Sequence, residues 1–292
     1  MLSVKISTGL LLCFVSTFST TEAATLAFPT QSLPGVSIGS GLGPSYETSG
    51  IVWHSRLQRF FTVDDGGRIS SMDANGNNVV HFNLHGDLEG ITIADPNSNF
   101  IYVGKEGSNA IFEFDISNNQ PSRVFQLRNW MGSSANSGLE ALTFVADEKD
   151  PEGGLFYAGN QSNGLVYAFR LPIASSSTSI AASFQFQFQA ALGRTDLSGM
   201  HYDNTNKVLY ATWDSNNIIR AMRSDGTFLE EWRLPPGTHQ EGITFQDSNL
   251  VISQDNGPVY RYPSFPLIVP EPSTLVGLPI GLVAVGIRRR RL

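Results

Sequence analysis

Apolar and polar positions alternate along most of this chain in short runs broken by Gly, Asn, Asp and Ser, and the runs recur in a fixed order. An opening run appears five times: ETSGIVW (47–53), DLEGITI (87–93), GLEALTF (138–144), DLSGMHY (196–202) and HQEGITF (239–245). Each is followed by a second run, RFFTVDDGG (59–67), FIYVGKEGS (100–108), LFYAGNQSN (155–163), LYATWDSNN (209–217) and LVISQDNG (250–257). A third run completes each set: RISSMD, AIFEFD, LVYAFR, IIRAMR and PVYRYP. Period-two alternation between turn residues predicts strands. No stretch from Thr25 to Pro266 holds a helical period.

The openings start 40, 51, 58 and 43 residues apart, in or near the spacing of propeller blades. Five sheets with nothing else to cover their faces are satisfied by radial packing, which buries both faces of each and leaves only short edges. The expected fold is therefore all-β, a five-bladed β-propeller over residues 25–266, with a six-bladed propeller of the NHL or gluconolactonase kind as the alternative. The last unit stops after three runs at Tyr262, so ATLAFPT (24–30) is expected to supply its fourth strand and close the ring. In the third unit, FQFQFQ (184–189) reads as an outer strand with Phe inward and Gln outward.

Register then turns a sequence pattern into a site. The innermost strands of a propeller line its axis, so residues at one repeat position face one another. The first such ring holds Ser49, Glu89, Glu140, Ser198 and Glu241, and the turn after each second strand supplies Asp65, Glu106, Gln161, Asp214 and Asp255. Two unit charges about 6 Å apart at an effective dielectric of about 20 repel by roughly 3 kcal/mol, so seven carboxylates on one axis require protons, hydration or a cation. The competing reading leaves the acids in a water-filled channel or paired with Lys105 and the arginines.

The two ends of the 292-residue chain carry a different composition. Residues 1–24 place Lys5, the apolar run Gly9–Val15 and small residues at Ala23 and Ala24 in the order of a secretory signal peptide. The only cysteine, Cys13, lies inside it with Leu11 and Leu12 before it, which argues against lipidation and leaves the body without thiols. Residues 267–292 contain Val-Pro-Glu-Pro at 269–272, an apolar stretch Leu275–Ile287 predicted as a short hydrophobic helix, and Arg288–Arg291. That tripartite arrangement resembles the PEP-CTERM sorting signal. The resemblance implies initial anchoring in the inner membrane, an exosortase-type sorting enzyme as partner, and delivery to the cell envelope, surface or extracellular matrix. A plain C-terminal anchor is the simpler alternative.

Setting both ends aside changes the charge. Lys5 and Arg288–Arg291 are five of 19 basic residues, and Glu22 and Glu271 are two of 26 acidic ones, so the body carries 14 against 24, near −10. Such a balance excludes nucleic acid as a natural partner and favours cations. Five histidines (His54, His81, His85, His201, His239) lack metal-binding spacing, and His239 reads as a turn residue. An all-oxygen donor set suits Ca2+, with Mg2+ second.

The EG-I and SG-M openings, the second strands LFY, LYAT and LVIS, and HQEGITF resemble the SdiA-regulated (YjiK-like) propeller family over roughly residues 45–262, with motifs shared in part with NHL-repeat and gluconolactonase-like propellers. The resemblance implies five blades and a calcium site, carried over to Glu89, Glu140 and Glu241 with Asp65, Glu106, Asp214 and Asp255 as further candidates. Ala141 and Gln161 depart from the pattern and put the third blade's contribution in doubt.

Three functions are compatible with these residues, and the export signals together with the absence of a nucleophile motif favour the first. One is an exported calcium-binding platform for a surface polysaccharide or protein partner. Another is a metal-dependent hydrolase of lactone or phosphate esters, with an acid such as Glu89 or Asp214 as base. A Ser-His-Asp esterase finds no G-x-S-x-G, and GNQSNG (159–164) reads as a hairpin turn.

Overall fold

The structure is a computed structural model that describes residues 24–29, 35–132, 137–175, 181–235 and 239–271. The signal-peptide segment and the C-terminal helix and arginine cluster expected from sequence lie outside these residues but for the flanks at 24 and 267–271. Among the described residues no helix is long and apolar enough to cross a membrane.

After a two-residue strand β1 (Val36–Ser37), the chain forms β2 (Thr48–His54), β3 (Arg59–Asp64), β4 (Arg68–Asp73) and β5 (Val80–Asn83), then β6 (Leu88–Thr92), β7 (Phe100–Lys105), β8 (Ala110–Asp115) and β9 (Gln120–Gln126). A single helical turn, α1 (Arg128–Met131), leads to β10 (Leu139–Ala146), β11 (Gly154–Asn160), β12 (Leu165–Arg170) and β13 (Ser183–Gln189). β14 (Leu197–Asp203), β15 (Val208–Trp213), β16 (Ile218–Met222) and β17 (Phe228–Arg233) precede β18 (Gln240–Gln246), β19 (Asn249–Gln254) and β20 (Val259–Tyr262). These pair as five four-stranded antiparallel sheets, four of them in chain order and the fifth as β18-β19-β20-β1. The five-bladed expectation holds and the six-bladed alternative does not.

Closure is made by the N-terminal side of the chain, but by different residues from those expected. Val36 and Ser37 pair with Arg261 and Tyr260 as the fourth strand of the last blade. The segment read as that strand instead runs beside the fourth blade, where Leu26 bridges Trp232 in parallel, with Leu26 N–H donating to Glu231 O at 2.8 Å. Between the two, Phe28 is buried against Tyr262 and Phe265, ring centroids 5.1 and 5.9 Å apart, so the chain start spans the seam between blades four and five. Sequence alternation alone could not separate these short pieces.

The core lies between blades. Val63, Ile69, Leu88 and Ile101 fill the space between blades one and two, and Leu197, Leu209, Trp213 and Ala168 that between three and four. Such residues alternate along strands whose two faces are both covered, which is why the inner strands read as nearly continuous apolar runs. The outermost strands have one neighbour only: in β13 the Phe/Gln alternation is present, yet Phe186 stays 40% exposed and the register slips between Ala168 and Phe169 of the partner strand.

Candidate metal centre

Every innermost strand breaks register at the same repeat position. The irregularity falls between Thr48 and Ile51, Leu88 and Ile91, Leu139 and Ala141, Leu197 and Gly199, and Gln240 and Ile243. A bulge re-aims a side chain that a regular ladder would send elsewhere. Ser49, Glu89, Glu140, Ser198 and Glu241 occupy these bulges. The glycine that follows most of them has its own cause: a Cβ on Gly50 would lie 2.1 Å from Glu89 O, and one on Gly199 would lie 2.3 Å from Glu241 O. Neighbouring innermost strands approach too closely there for a side chain. The third blade accommodates Ala141 because Gly159 stands opposite it in β11.

Above the bulges is a cavity of about 160 Å³ lined by Ser49, Asp65, Asp87, Glu89, Glu106, Glu140, Gln161, Glu241 and Asp255. It is not a through-channel. Beneath it Ile51, Ile91, Leu142, Met200 and Ile243 converge and leave only about 10 Å³. Six of the seven carboxylates expected on the axis line the chamber. Asp214 does not, since its Oδ1 accepts from Gln240 N–H at 2.8 Å and its Oδ2 lies 3.6 Å from His239 Nδ1. Ser198 also turns away and donates to Gln240 O at 2.9 Å. Ser162 of GNQSNG donates to Asn160 Oδ1 within its turn, as a hairpin residue does.

Asp87, Glu47 and Asp196 were not singled out from sequence. They share the position two residues before the bulge, filled in the other blades by Gly138 and His239. The signal was present in the initial letters of DLEG, DLSG and ETSG. Asp196 Oδ2 accepts from both Ser215 N–H and Oγ–H, at 2.9 and 2.5 Å.

The junctions between successive blades differ in a way that locates the charge. At the junction of blades two and three, Glu106 accepts from Gly138 N–H at 2.8 Å; between three and four, Gln161 O accepts from Asp196 N–H at 2.7 Å; between four and five, Asp214 takes Gln240 N–H. At the other two junctions an acid meets further acids. One oxygen from each of Glu47, Asp65 and Asp255 lies within 4.8 Å of the others, as does one from each of Asp65, Asp87 and Glu89. Asp65 belongs to both groups. Its Oδ1 also accepts Ser49 Oγ–H at 2.6 Å.

No Lys, Arg or His lines the chamber among the described residues. Lys105 Nζ donates to His85 O at 3.0 Å, while Arg123 pairs with Glu113, Arg170 with Asp150, and Arg194 and Arg220 with Glu231. The local ion-pair alternative therefore fails. Protons respond accordingly: burial, then Glu140, pushes Glu89 far above the usual carboxylate range, and burial, then Glu241, does the same to Glu140. Glu241 is pushed up to about 8 by burial and then by Asp214 and Asp255. Burial also raises Asp65, Glu106 and Asp214, against the opposing pull of Ser49, Gly138 N–H and Gln240 N–H respectively.

The donor set fits a hard divalent cation. Every donor in the two groups is a carboxylate oxygen, and 4.8 Å is about twice a Ca–O distance of roughly 2.4 Å, so each group can share one coordination sphere. The nine lining residues include neither sulfur nor imidazole, the donors that zinc or copper would select.

Fold and chamber together define the class: a five-bladed β-propeller with an acidic, blind axial cavity. Residues 53–191, a little under half of the chain, match the family model described as Phytase-like, "Esterase-like activity of phytase". They run from the end of the first blade's inner strand through the third blade, and so include Asp65, Asp87, Glu89, Glu106 and Glu140. The crystal structure of a glutaminyl cyclase from Myxococcus xanthus is similar to 75% of this chain and 90% of its own, with a TM-score of 0.56 and 12% identity. At that identity the likeness shows the propeller fold alone. No curated protein matches the chain.

Proposed function

We propose that the protein is a divalent-cation-dependent hydrolase of esters, phosphate esters foremost, acting in the axial cavity with Ca2+ as the favoured ion and Mg2+ second. The observation that carries this reading is the meeting of Asp65, Asp87, Glu89 and Asp255 at the two blade junctions where, among the described residues, no backbone N–H or basic side chain balances them. The partial match to an esterase-like family over the same blades supports it. When bound, such a cation polarises a phosphoryl or carbonyl oxygen and lowers the pKa of water.

The chain's own groups divide the remaining work. Asp65, held by Ser49 Oγ–H, is oriented toward both carboxylate groups. Glu241, with a pKa near 8, keeps a proton at neutral pH and can deliver it to a leaving oxygen. Gly138 N–H fixes Glu106 at the far wall. The apolar plug below admits substrate and water from one mouth only. Glu89 takes the role of ligand, and Asp214, outside the lining, has no place as base.

A cation-clamped platform is the second reading, favoured by depth: Glu89 and Glu140 are only 8% and 7% exposed, where an ion would lock blades together before it met a substrate. The SdiA-regulated resemblance belongs to that version, with a surface polysaccharide or protein as partner. Either version is proposed to work outside the inner membrane, exported by residues 1–24 and sorted through residues 267–292 by an exosortase-type enzyme. A panel of p-nitrophenyl phosphate, phosphodiester, carboxylic ester and lactone substrates, assayed with calcium and with EDTA, separates them. Turnover that EDTA and Glu89→Gln abolish supports the hydrolase; calcium binding without turnover on any substrate leaves the platform.

A further inference from the structure

The opposite mouth of the axis has a second cavity, also about 160 Å³, of contrasting chemistry. Half-buried Trp53 contributes the accessible aromatic surface, Phe144 and Tyr202, 5% and 6% exposed, close the wall from the inter-blade cores, and Ser55, His201 and Asn204 contribute polar atoms. No charged side chain lines it. The nearest charged groups are engaged: Arg56 donates to Pro96 O, Ser98 O and Asn99 Oδ1, and Asp95 and Asp203 accept from Asn97 and Thr205 N–H within their turns. The lining itself therefore sets no charged side chain against a ligand.

Hydrogen-bonding capacity is nevertheless left over. Three blades repeat one stitch, in which a threonine Oγ1 accepts the N–H of the next inner strand: Phe144 N–H to Thr92, Tyr202 N–H to Thr143 and Trp53 N–H to Thr244, at 3.0, 3.0 and 3.1 Å. The hydroxyl protons of Thr92 and Thr143 have no acceptor among the described residues. His201 replaces threonine in the fourth blade. Its Nδ1 lies 3.4 Å from Thr244 Oγ1, a long contact, and its Nε2 has no partner among the described residues. Burial holds this imidazole neutral, with a pKa lowered to about 4, so it offers one donor and one acceptor rather than a charge. Ser55 Oγ is likewise unpartnered, and Asn204 spends only its Oδ1, on a long contact to Ala146 N–H at 3.4 Å.

We propose that this cavity binds one neutral pyranose ring, a sugar unit at the end of a glycan chain or a free glycoside. A pyranose has apolar C–H faces that lie on aromatic rings and a rim of hydroxyls that both donate and accept, and the cavity offers that combination without charge. Its volume is below the range of about 300–1,000 Å³ typical of drug-sized ligands, which limits it to one small ring. The site is separated from the acid chamber by the Ile-Leu-Met plug, so it does not depend on the cation.

Saturation-transfer NMR on the purified protein, with the methyl glycosides of glucose, mannose and N-acetylglucosamine at millimolar concentration, tests this. Transfer to the ring protons of at least one glycoside is expected. Affinity should fall at least five-fold in the Ser55→Ala/Asn204→Ala double variant, vanish in Ala94→Trp, and stay unchanged in Asp65→Asn and in EDTA. Absence of transfer from all three glycosides, or transfer that the double variant leaves intact, overturns the proposal. The double variant carries the test if Ala94→Trp does not fold, because Ser55 and Asn204 are both exposed turn residues.

Discussion

Ser49 Oγ donates to Asp65 Oδ1 at 2.6 Å, joining the bulge of the first blade's inner strand to the turn after its second strand. Asp65 is the one residue common to both carboxylate groups. Replacing it by Asn removes a negative charge from each, so calcium affinity is expected to fall more than ten-fold by calorimetry. The same change relieves repulsion with Asp255 and Asp87, which add to burial in raising its pKa. In EDTA the variant is therefore expected to melt a few degrees above the parent. A variant that melts lower in EDTA would mean that Asp65 is not repelled in the empty chamber.

The pH dependence of the cation-free protein has a definite sign. Glu89, Glu140 and Glu241 have pKa values above those of the unfolded chain, so the folded state binds more protons and stability falls as pH rises. This contribution is fully present below about pH 4.5 and is lost progressively up to and past pH 8 for Glu241. Buried His201 acts oppositely, with stability rising between about pH 4 and 6.5. Thermal melts in EDTA should thus decline from pH 6.5 to 8.5, and excess calcium should flatten or reverse that decline. A rise in EDTA over this range would contradict the assigned burial of the acids.

Gly50 tests the close approach of blades. A Cβ at 2.1 Å from Glu89 O forces the inner strands apart, and Gly50→Ala is expected to cost about 1–3 kcal/mol, as overpacking does. Denaturant unfolding measures it. The change should also weaken calcium binding, because Glu89 is displaced with its strand.

Phe28 tests the seam. Its ring is 3% exposed between Tyr262 and Phe265, and Phe28→Ala is expected to lose about 3–5 kcal/mol by denaturant unfolding. A small loss would mean that Val36–Ser37 closes the ring alone.

Much of this organisation was legible in the chain. The third run of every unit became a strand within one residue of its sequence limits, and each second run became a strand that starts within one residue of it and stops three or four residues earlier, where its turn residues begin, because alternation and turn residues agree there. Register then carried Glu89, Glu140 and Glu241 to one axis. What was not legible depended on contacts across blades. Nothing local distinguishes Leu26, which bridges Trp232, from Val36, which closes the ring. Asp214 looked equivalent to Asp65 until Gln240 N–H claimed it, and Asp87 was passed over although DLEG begins with it.

Calcium titrated calorimetrically into the EDTA-stripped protein addresses the central claim most directly. Saturable binding is expected, with proton release at pH 7 because the ion displaces protons held by the raised acids, and with affinity lost in Asp65→Asn and Glu89→Gln. Absence of heat and of any calcium-induced rise in melting temperature, in a protein that is folded by circular dichroism, would contradict it.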